Sequence, residues 1–285
     1  MKKHIFAVLV GAIAVPGVSQ ADLLAQWDFD NTTLDSSGNG YDGIDGAGTL
    51  TYGASGDGGA YAVFDGVSSY VPTMLSFENE KLSSLGLTVN FNTTYYDPNG
   101  VYYDDATTEE WDSYYSNWSF IDADRSDYFS LSLDSHGSLW FAYITKENNQ
   151  WTLYENIATD YTYNDGLWHQ ATVSYGEEYG LSMYVDGALI YTDIYHGALG
   201  TGNTTRYVII GDGSESSEFN GARNNAYFEG ALDSVSVYDS EISAADAMVF
   251  FNDANLSSIN DVPAPLGALS VLGMLGLAVR KRKPC

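Results

Sequence analysis

The sequence predicts an all-β fold, an antiparallel two-sheet jelly-roll sandwich with one short helix near residues 243–252. Three observations predict it. Short runs of alternating apolar and polar residues are divided by Gly, Asn, Asp and Ser; helical periodicity is nearly absent before residue 243; and the dipeptide Asp186-Gly187 separates two such runs.

The clearest runs are 24–29, 61–64, 85–91, 128–133, 139–144, 168–175, 181–185, 207–210 and 232–238. Each has the length and period-2 pattern of a half-buried strand. Between Leu181-Ser182-Met183-Tyr184-Val185 and Ala188-Leu189-Ile190-Tyr191, Asp186-Gly187 predicts a tight hairpin, because both turn positions need φ > 0. Ser135-His136-Gly137 predicts a second turn. After Ser243, a capping hydroxyl with Asp246 three residues on precedes Ala247, Val249 and Phe250, which starts the helix. Many strands followed by one helix imply a sandwich rather than alternating β and α units.

The ends of the chain read differently. Lys2 and Lys3, the apolar run 5–15 and Ser19-Gln20-Ala21 form a secretory signal, with cleavage expected after Ala21. At the other end, Val262-Pro263-Ala264-Pro265 leads into the apolar stretch 266–279 and then Arg280-Lys281-Arg282-Lys283. That stretch is shorter than the roughly 20 residues a helix needs to cross a bilayer core. The division expected is a signal at 1–21, one domain at 22–262, and a C-terminal sorting or transmembrane segment at 263–285.

All 38 acidic residues lie between Asp22 and Asp261, with only Lys81, Arg125, Lys146, Arg206 and Arg223 to oppose them. Such a surface repels nucleic acid and anionic polymers. The 23 Tyr, 12 Phe and 6 Trp exclude a disordered acidic chain, so the domain folds and divalent cations are natural companions. The only cysteine is Cys285, so no internal disulfide is available to an exported chain.

Two resemblances follow from these residues. The Pro-containing turn, short glycine-rich apolar stretch and basic end of the last 24 or so residues resemble the PEP-CTERM sorting signals of Gram-negative bacteria, which an exosortase processes. Where that signature has a glutamate between two prolines, this chain has Ala264. An ordinary C-terminal anchor held by positive charges is the other reading, and both place the domain outside the inner membrane.

The second covers about residues 24–252. Trp27-Asp28-Phe29-Asp30, Asp35-Ser36-Ser37-Gly38-Asn39-Gly40, Val63-Phe64-Asp65-Gly66, Asp165-Gly166-Leu167-Trp168-His169, Tyr184-Val185-Asp186-Gly187, Ile210-Gly211 and Phe228-Glu229-Gly230-Ala231-Leu232-Asp233 occur in the order found in laminin-G-like domains of the concanavalin A-like superfamily. The resemblance implies a structural calcium ion between the first strand and the last. Asp233 and Asp30 are the leading ligands, Asp28 the alternative from the first strand, and Asn39 or Gly40 a source of backbone oxygen. An all-oxygen set suits calcium and not zinc. Strand alternation puts Asp233 on the face of Val235 and Val237, where a carboxylate needs either a cation or main-chain N–H donors.

The stretch 92–117 departs from a plain connection. Its acidic residues are interleaved with aromatic ones, and Tyr103, Trp111, Tyr114 and Tyr115 form either a platform for stacking sugar rings or a cover for the sandwich edge. His169 is expected to pack in its strand behind Trp168, and His136 to occupy a turn.

The superfamily includes glycoside hydrolases and lyases, so catalysis is a live alternative. The alternating Glu-x-Asp-x-x-Glu of related glucanases is missing: counted from Glu110, its last position is Tyr115. Arginines to neutralise a uronate are scarce. The expectation is an exported, non-catalytic recognition or matrix module that binds an extracellular glycan or surface protein. A carbohydrate-active enzyme on the same sandwich, or a structural matrix protein without a specific ligand, are the alternatives.

Overall fold

The computed structural model describes residues 21–44, 50–55, 59–77, 80–96, 118–123, 128–158, 160–200, 207–213 and 227–254. Residues 1–20 of the expected signal segment, the aromatic residues Tyr103, Trp111, Tyr114 and Tyr115, and the C-terminal segment lie outside the described residues. No helix among the described residues is long and apolar enough to cross a membrane.

The described chain forms two antiparallel sheets. The larger contains β1 (Leu23–Trp27), β2 (Thr51–Ala54), β3 (Ala60–Asp65), β5 (Leu85–Asn92), β10 (Trp168–Gly176), β11 (Gly180–Val185), β12 (Ala188–Asp193) and β14 (Glu229–Tyr238). The smaller contains β4 (Val71–Ser76), β6 (Trp118–Asp122), β7 (Phe129–Leu133), β8 (Leu139–Glu147), β9 (Gln150–Ala158) and β13 (Tyr207–Ile210). Their orders are β12-β11-β10-β5-β14-β3-β2, with β1 also paired to β14, and β4-β13-β6-β7-β8-β9. The expected two-sheet sandwich is therefore present, and every run expected to be a strand coincides with one, give or take its ends.

Strand alternation builds the core. Leu85, Leu87, Val89 and Phe91 of β5, with Ala171, Val173 and Tyr175 of β10, are buried against Phe120, Leu131, Phe141 and Tyr143 of the other sheet. Ring pairs join the layers: Phe91 meets Phe120 at 4.5 Å and Tyr143 meets Tyr175 at 4.7 Å between centroids. Each such buried ring contributes roughly 1.5–3 kcal/mol of transfer free energy.

The opposite face of the larger sheet is unusual in being polar and buried. Thr88, Asn90, Gln170, Thr172, Ser174, Ser182 and Ser236 alternate with the core residues yet have little exposure. Helix α1 (Ala244–Asp253) begins with Ser243 as its N-cap, whose Oγ accepts from the Asp246 N–H at 3.1 Å, as the sequence predicts. Ile242 and Ala247 form a small apolar cluster with Ala21, Tyr184 and Tyr238, and Phe250 stacks on Tyr238 at 5.3 Å. Ala21 is thus packed at the position where signal cleavage is expected.

The hairpins follow their dipeptides. Asp186 and Gly187 have φ of 53° and 73°, and the β7 to β8 turn contains His136 as expected. Asn148 and Asn149, with φ of 48° and 66°, form a further two-residue turn between β8 and β9. Strand β4 carries Pro72, which a ladder tolerates only at an edge, and β4 is an edge strand.

Candidate functional site

The site region begins where β1 ends. Ala25 and Trp27 enter the core, and so does Phe29, but Phe29 does so with φ of 55°. An aromatic residue in the left-handed region costs on the order of 1–3 kcal/mol and persists only where its surroundings over-determine it. Here the ring is fully buried edge-on to Phe64 at 6.1 Å, and its carbonyl accepts from the Asn31 N–H at 2.7 Å. The sharp turn places Asp28 and Asp30 on either side of Phe29, at the polar face.

Across the seam, β14 pairs with β1 and β3 on one edge and with β5 on the other. Its register with β5 shifts between Leu232 and Ser234, so Asp233 is the extra residue of a β-bulge. This corrects the expectation from simple alternation. Leu232, Val235 and Val237 are core residues, whereas Asp233 is half-buried beside Ser234 and Ser236. The inserted residue slips the alternation by one, which no period-2 pattern can anticipate.

Asp28, Asp30 and Asp233 line one depression of about 350 Å³, together with Asp253 from α1 and Asn90 and Gln170 from the sheet. A chain of amides runs along its floor. Asn90 Nδ2 donates to Ser234 Oγ at 2.9 Å, and Gln170 Nε2 donates to Asn90 Oδ1 at 3.0 Å and to the Phe250 carbonyl at 3.2 Å. Gln170 Oε1 is buried with no hydrogen-bond partner. A buried acceptor of this kind calls for a donor or a cation.

Asp28 and Asp30 are only partly committed. Asp28 Oδ1 accepts from Gln26 Nε2 at 2.5 Å, and Asp30 Oδ1 accepts from the Ala60 N–H at 2.6 Å. Among the described residues no group of three or more His, Cys, Asp or Glu side chains is placed to hold a metal. The side chains lining the depression offer oxygen donors, the type calcium takes, but an ion there would have to draw on amide, hydroxyl or carbonyl oxygens besides carboxylates.

Asn39 and Gly40 are not among the residues lining this depression. Asn39 Nδ2 donates to the carbonyls of Leu23 and Leu24, at 3.2 and 2.9 Å, closing the outer edge of β1. The organiser of that loop is Asp35. Its Oδ1 accepts from the N–H groups of Gln26 and Ser37, and its Oδ2 from Ser37 Oγ and the Tyr41 N–H, all at 2.9–3.0 Å. Burial opposes ionisation of Asp35, but Ser37 and the surrounding amides outweigh it and hold the carboxyl below its usual range. Asp65, at the end of β3, organises its own turn in the same way, accepting from the N–H groups of Val67, Ser68 and Ser69 and from Ser68 Oγ. Strand patterning singles out neither aspartate; the available signal is an Asp followed two residues later by Ser or Val in a Gly-containing turn.

His169 likewise does more than pack. Its Nδ1 meets Asp186 Oδ2 at 2.8 Å and its Nε2 meets Asp165 Oδ1 at 3.2 Å, with the side chain only 12% exposed. Burial disfavours the charged ring, but the hydrogen bond and charge of Asp186, then those of Asp165, raise its pKa. The other Asp186 oxygen accepts from the Gln170 N–H at 2.9 Å, so the β11–β12 turn is tied to β10 at His169 and at Gln170, which lines the depression.

A second depression of about 400 Å³ includes Tyr61, Asn92, Tyr95 and Glu229. Tyr61 meets Trp168 edge-on at 5.2 Å, and Tyr95 packs on Trp118 at 4.3 Å. The latter pair brings together the two sides of the segment that carries the expected aromatic platform.

The profile of the concanavalin A-like lectin/glucanases superfamily, in its laminin-G form, matches residues 101–248. No curated relative matches the chain. Among solved structures, domain 4 of AbnA, a GH43 extracellular arabinanase from Geobacillus stearothermophilus in complex with arabinotriose, is similar with a TM-score of 0.54 and 19% identity, over 81% of this chain and 98% of that one. The binding domain of Paraclostridial Mosquitocidal Protein 1 gives a TM-score of 0.57 at 13% identity, over 82% of this chain and 52% of its own. The receptor binding domain of botulinum neurotoxin type G gives 0.54 at 11%, over 82% and 52%. The chain thus spans nearly all of the arabinanase domain but about half of each toxin domain. At these identities the likeness shows the fold, and with the profile spanning more than half of the sequence, this chain belongs to the concanavalin A-like lectin/glucanases superfamily.

Proposed function

We propose that the domain at 22–262 is an exported, non-catalytic recognition module that binds an extracellular glycan or a surface protein and carries a structural calcium ion in the β1–β14 depression. The observation that carries the calcium reading is that Asp28, Asp30 and Asp233 line one oxygen-rich depression together with Gln170, whose Oε1 has no hydrogen-bond partner. When bound, calcium would neutralise part of the carboxylate charge and tie β1 to β14. Glycan or receptor recognition is supported by the neighbours, one of which holds arabinotriose and others of which are toxin binding domains. The signal at 1–21 and the sorting tail at 263–285 would deliver the module to the outer envelope, cell surface or matrix, with an exosortase-type enzyme and the membrane as partners in transit.

A thermal melt of residues 22–262 in EDTA and then in calcium tests the ion. The expected result is a rise of several degrees, about 1 kcal/mol or more for a domain this size, abolished in Asp233→Ala. Unchanged melting would remove calcium from the reading. A glycan array tests recognition: signal should fall in Trp111→Ala or Tyr115→Ala. A carbohydrate-active enzyme, the second reading, rests on the glucanases in the superfamily and would instead release reducing-end or unsaturated products.

A further inference from the structure

Lys81 and Lys146 are the only Lys or Arg side chains among the described residues of a chain with formal charge −27. They are not scattered. Lys81 Nζ donates to the Lys146 carbonyl, and Lys146 Nζ lies 5.6 Å from the centroid of the Trp151 ring. Lys146 and Trp151 are register partners next to the Asn148-Asn149 turn, so both stand near the tip of the β8–β9 hairpin, on the edge strand of the smaller sheet and its neighbour. Trp151 is 63% exposed.

We propose that this hairpin tip is a separate binding site for a single carboxylated sugar at the end of a glycan, such as a uronic acid. Exposed indole surface takes the C–H face of a sugar ring, and the cation against the ring keeps an ammonium within reach of the sugar's carboxylate. The surrounding charge sets the length of the ligand. Glu147 at the hairpin tip and Glu80 beside Lys81 flank the lysines, and the field of the whole chain opposes a run of negative charges. Screening over about 8 Å at physiological salt makes the nearest charges decisive, so one carboxylate seated on the ammonium groups gains, whereas further negative charges meet Glu147 and Glu80. The site shares no residue with the β1–β14 depression; it rests on the recognition reading only in requiring an extracellular glycan.

The test is calorimetric titration of the full chain with a disaccharide ending in glucuronic acid and with its neutral glucose counterpart. The acidic disaccharide should bind at least about tenfold more tightly, and Trp151→Ala and Lys146→Gln should each weaken it about tenfold without changing the melting temperature. Binding should persist in EDTA, which separates this site from the calcium ion. Equal binding of the two disaccharides, no binding of either, or binding indifferent to Trp151→Ala would overturn the proposal. So would a change of oligomeric state in Trp151→Ala, seen by sedimentation, because the patch would then be a contact between copies of the chain. A glycan array that responds while this titration stays silent would leave the general recognition reading standing and remove this site alone.

Discussion

Asp35 and Asp65 on one side, and Asp28 and Asp30 on the other, show two uses of the same side chain within a short length of chain. Asp35 accepts four hydrogen bonds, three of them from main-chain N–H groups that would otherwise lack partners at the edge of β1. Asp28 and Asp30 accept one each and stand over a shared depression. A carboxylate whose oxygens are saturated by its own loop holds that loop in shape. One with an oxygen left over is available to something from outside. The difference lies in the number of N–H donors within reach and not in the residue type, which is why an Asp-rich sequence does not announce which of its aspartates bind.

Substitutions at these aspartates should separate the two uses. The largest effect is expected from Asp35→Ala, which orphans several donors at once and should lower the melting temperature by about 5–10 °C, with or without calcium. If calcium abolished that difference, Asp35 would belong with the binding carboxylates. Next comes acid. The folded pKa of Asp35 lies below its unfolded value of 3.8, so its contribution is present above that value and is lost as pH falls through the folded one. Melting curves between pH 6 and pH 2 should therefore fall less steeply in Asp35→Asn than in the parent.

His169 gives the opposite sign. Its folded pKa is raised above 6.5, so the Asp186 and Asp165 contacts contribute most below that value and fade as pH rises through the folded pKa. Melting from pH 5 to pH 9 should show a loss of stability that His169→Phe removes. The smallest effect belongs to Asp28→Asn in EDTA, about a few tenths of a kcal/mol, because it keeps an acceptor for Gln26. In calcium the same variant should melt several degrees below the parent if Asp28 is a ligand, and level with it if Asp30 and Asp233 suffice.

The strands are legible in the sequence because alternation and turn dipeptides are local. Leu181 to Val185 with Asp186-Gly187 needs no distant information, and neither does the Ser243 cap. The site is legible only in part. Asp28, Asp30 and Asp233 line one depression without forming a three-carboxylate cluster, and the bulge at Asp233 inverts the face that alternation assigns to it. The expectation for Asn39 or Gly40 concerns a backbone oxygen, and it does not anticipate that the Asn39 side-chain amide donates to the carbonyls of β1. The left-handed Phe29 has no sequence signal, since it is imposed by packing against Phe64. Strand β9 escapes sequence patterning because an edge strand such as Gln150–Ala158 is too polar to alternate cleanly.

The seam between the first and last strands also governs where the chain enters and leaves the fold. Leu23 pairs with Tyr238, the Asp22 N–H donates to Ser240 Oγ at 2.8 Å, and the Asp239 N–H donates to the Asp22 carbonyl at 3.1 Å. The strands of the fold are therefore entered and left at the same point, with only α1 following the last of them. A unit built this way can be spliced into a surface loop of another protein, or have its own ends joined and be reopened at Asn148-Asn149, while every strand keeps its neighbours. Portability between host proteins is thus a property of the β1–β14 pairing itself.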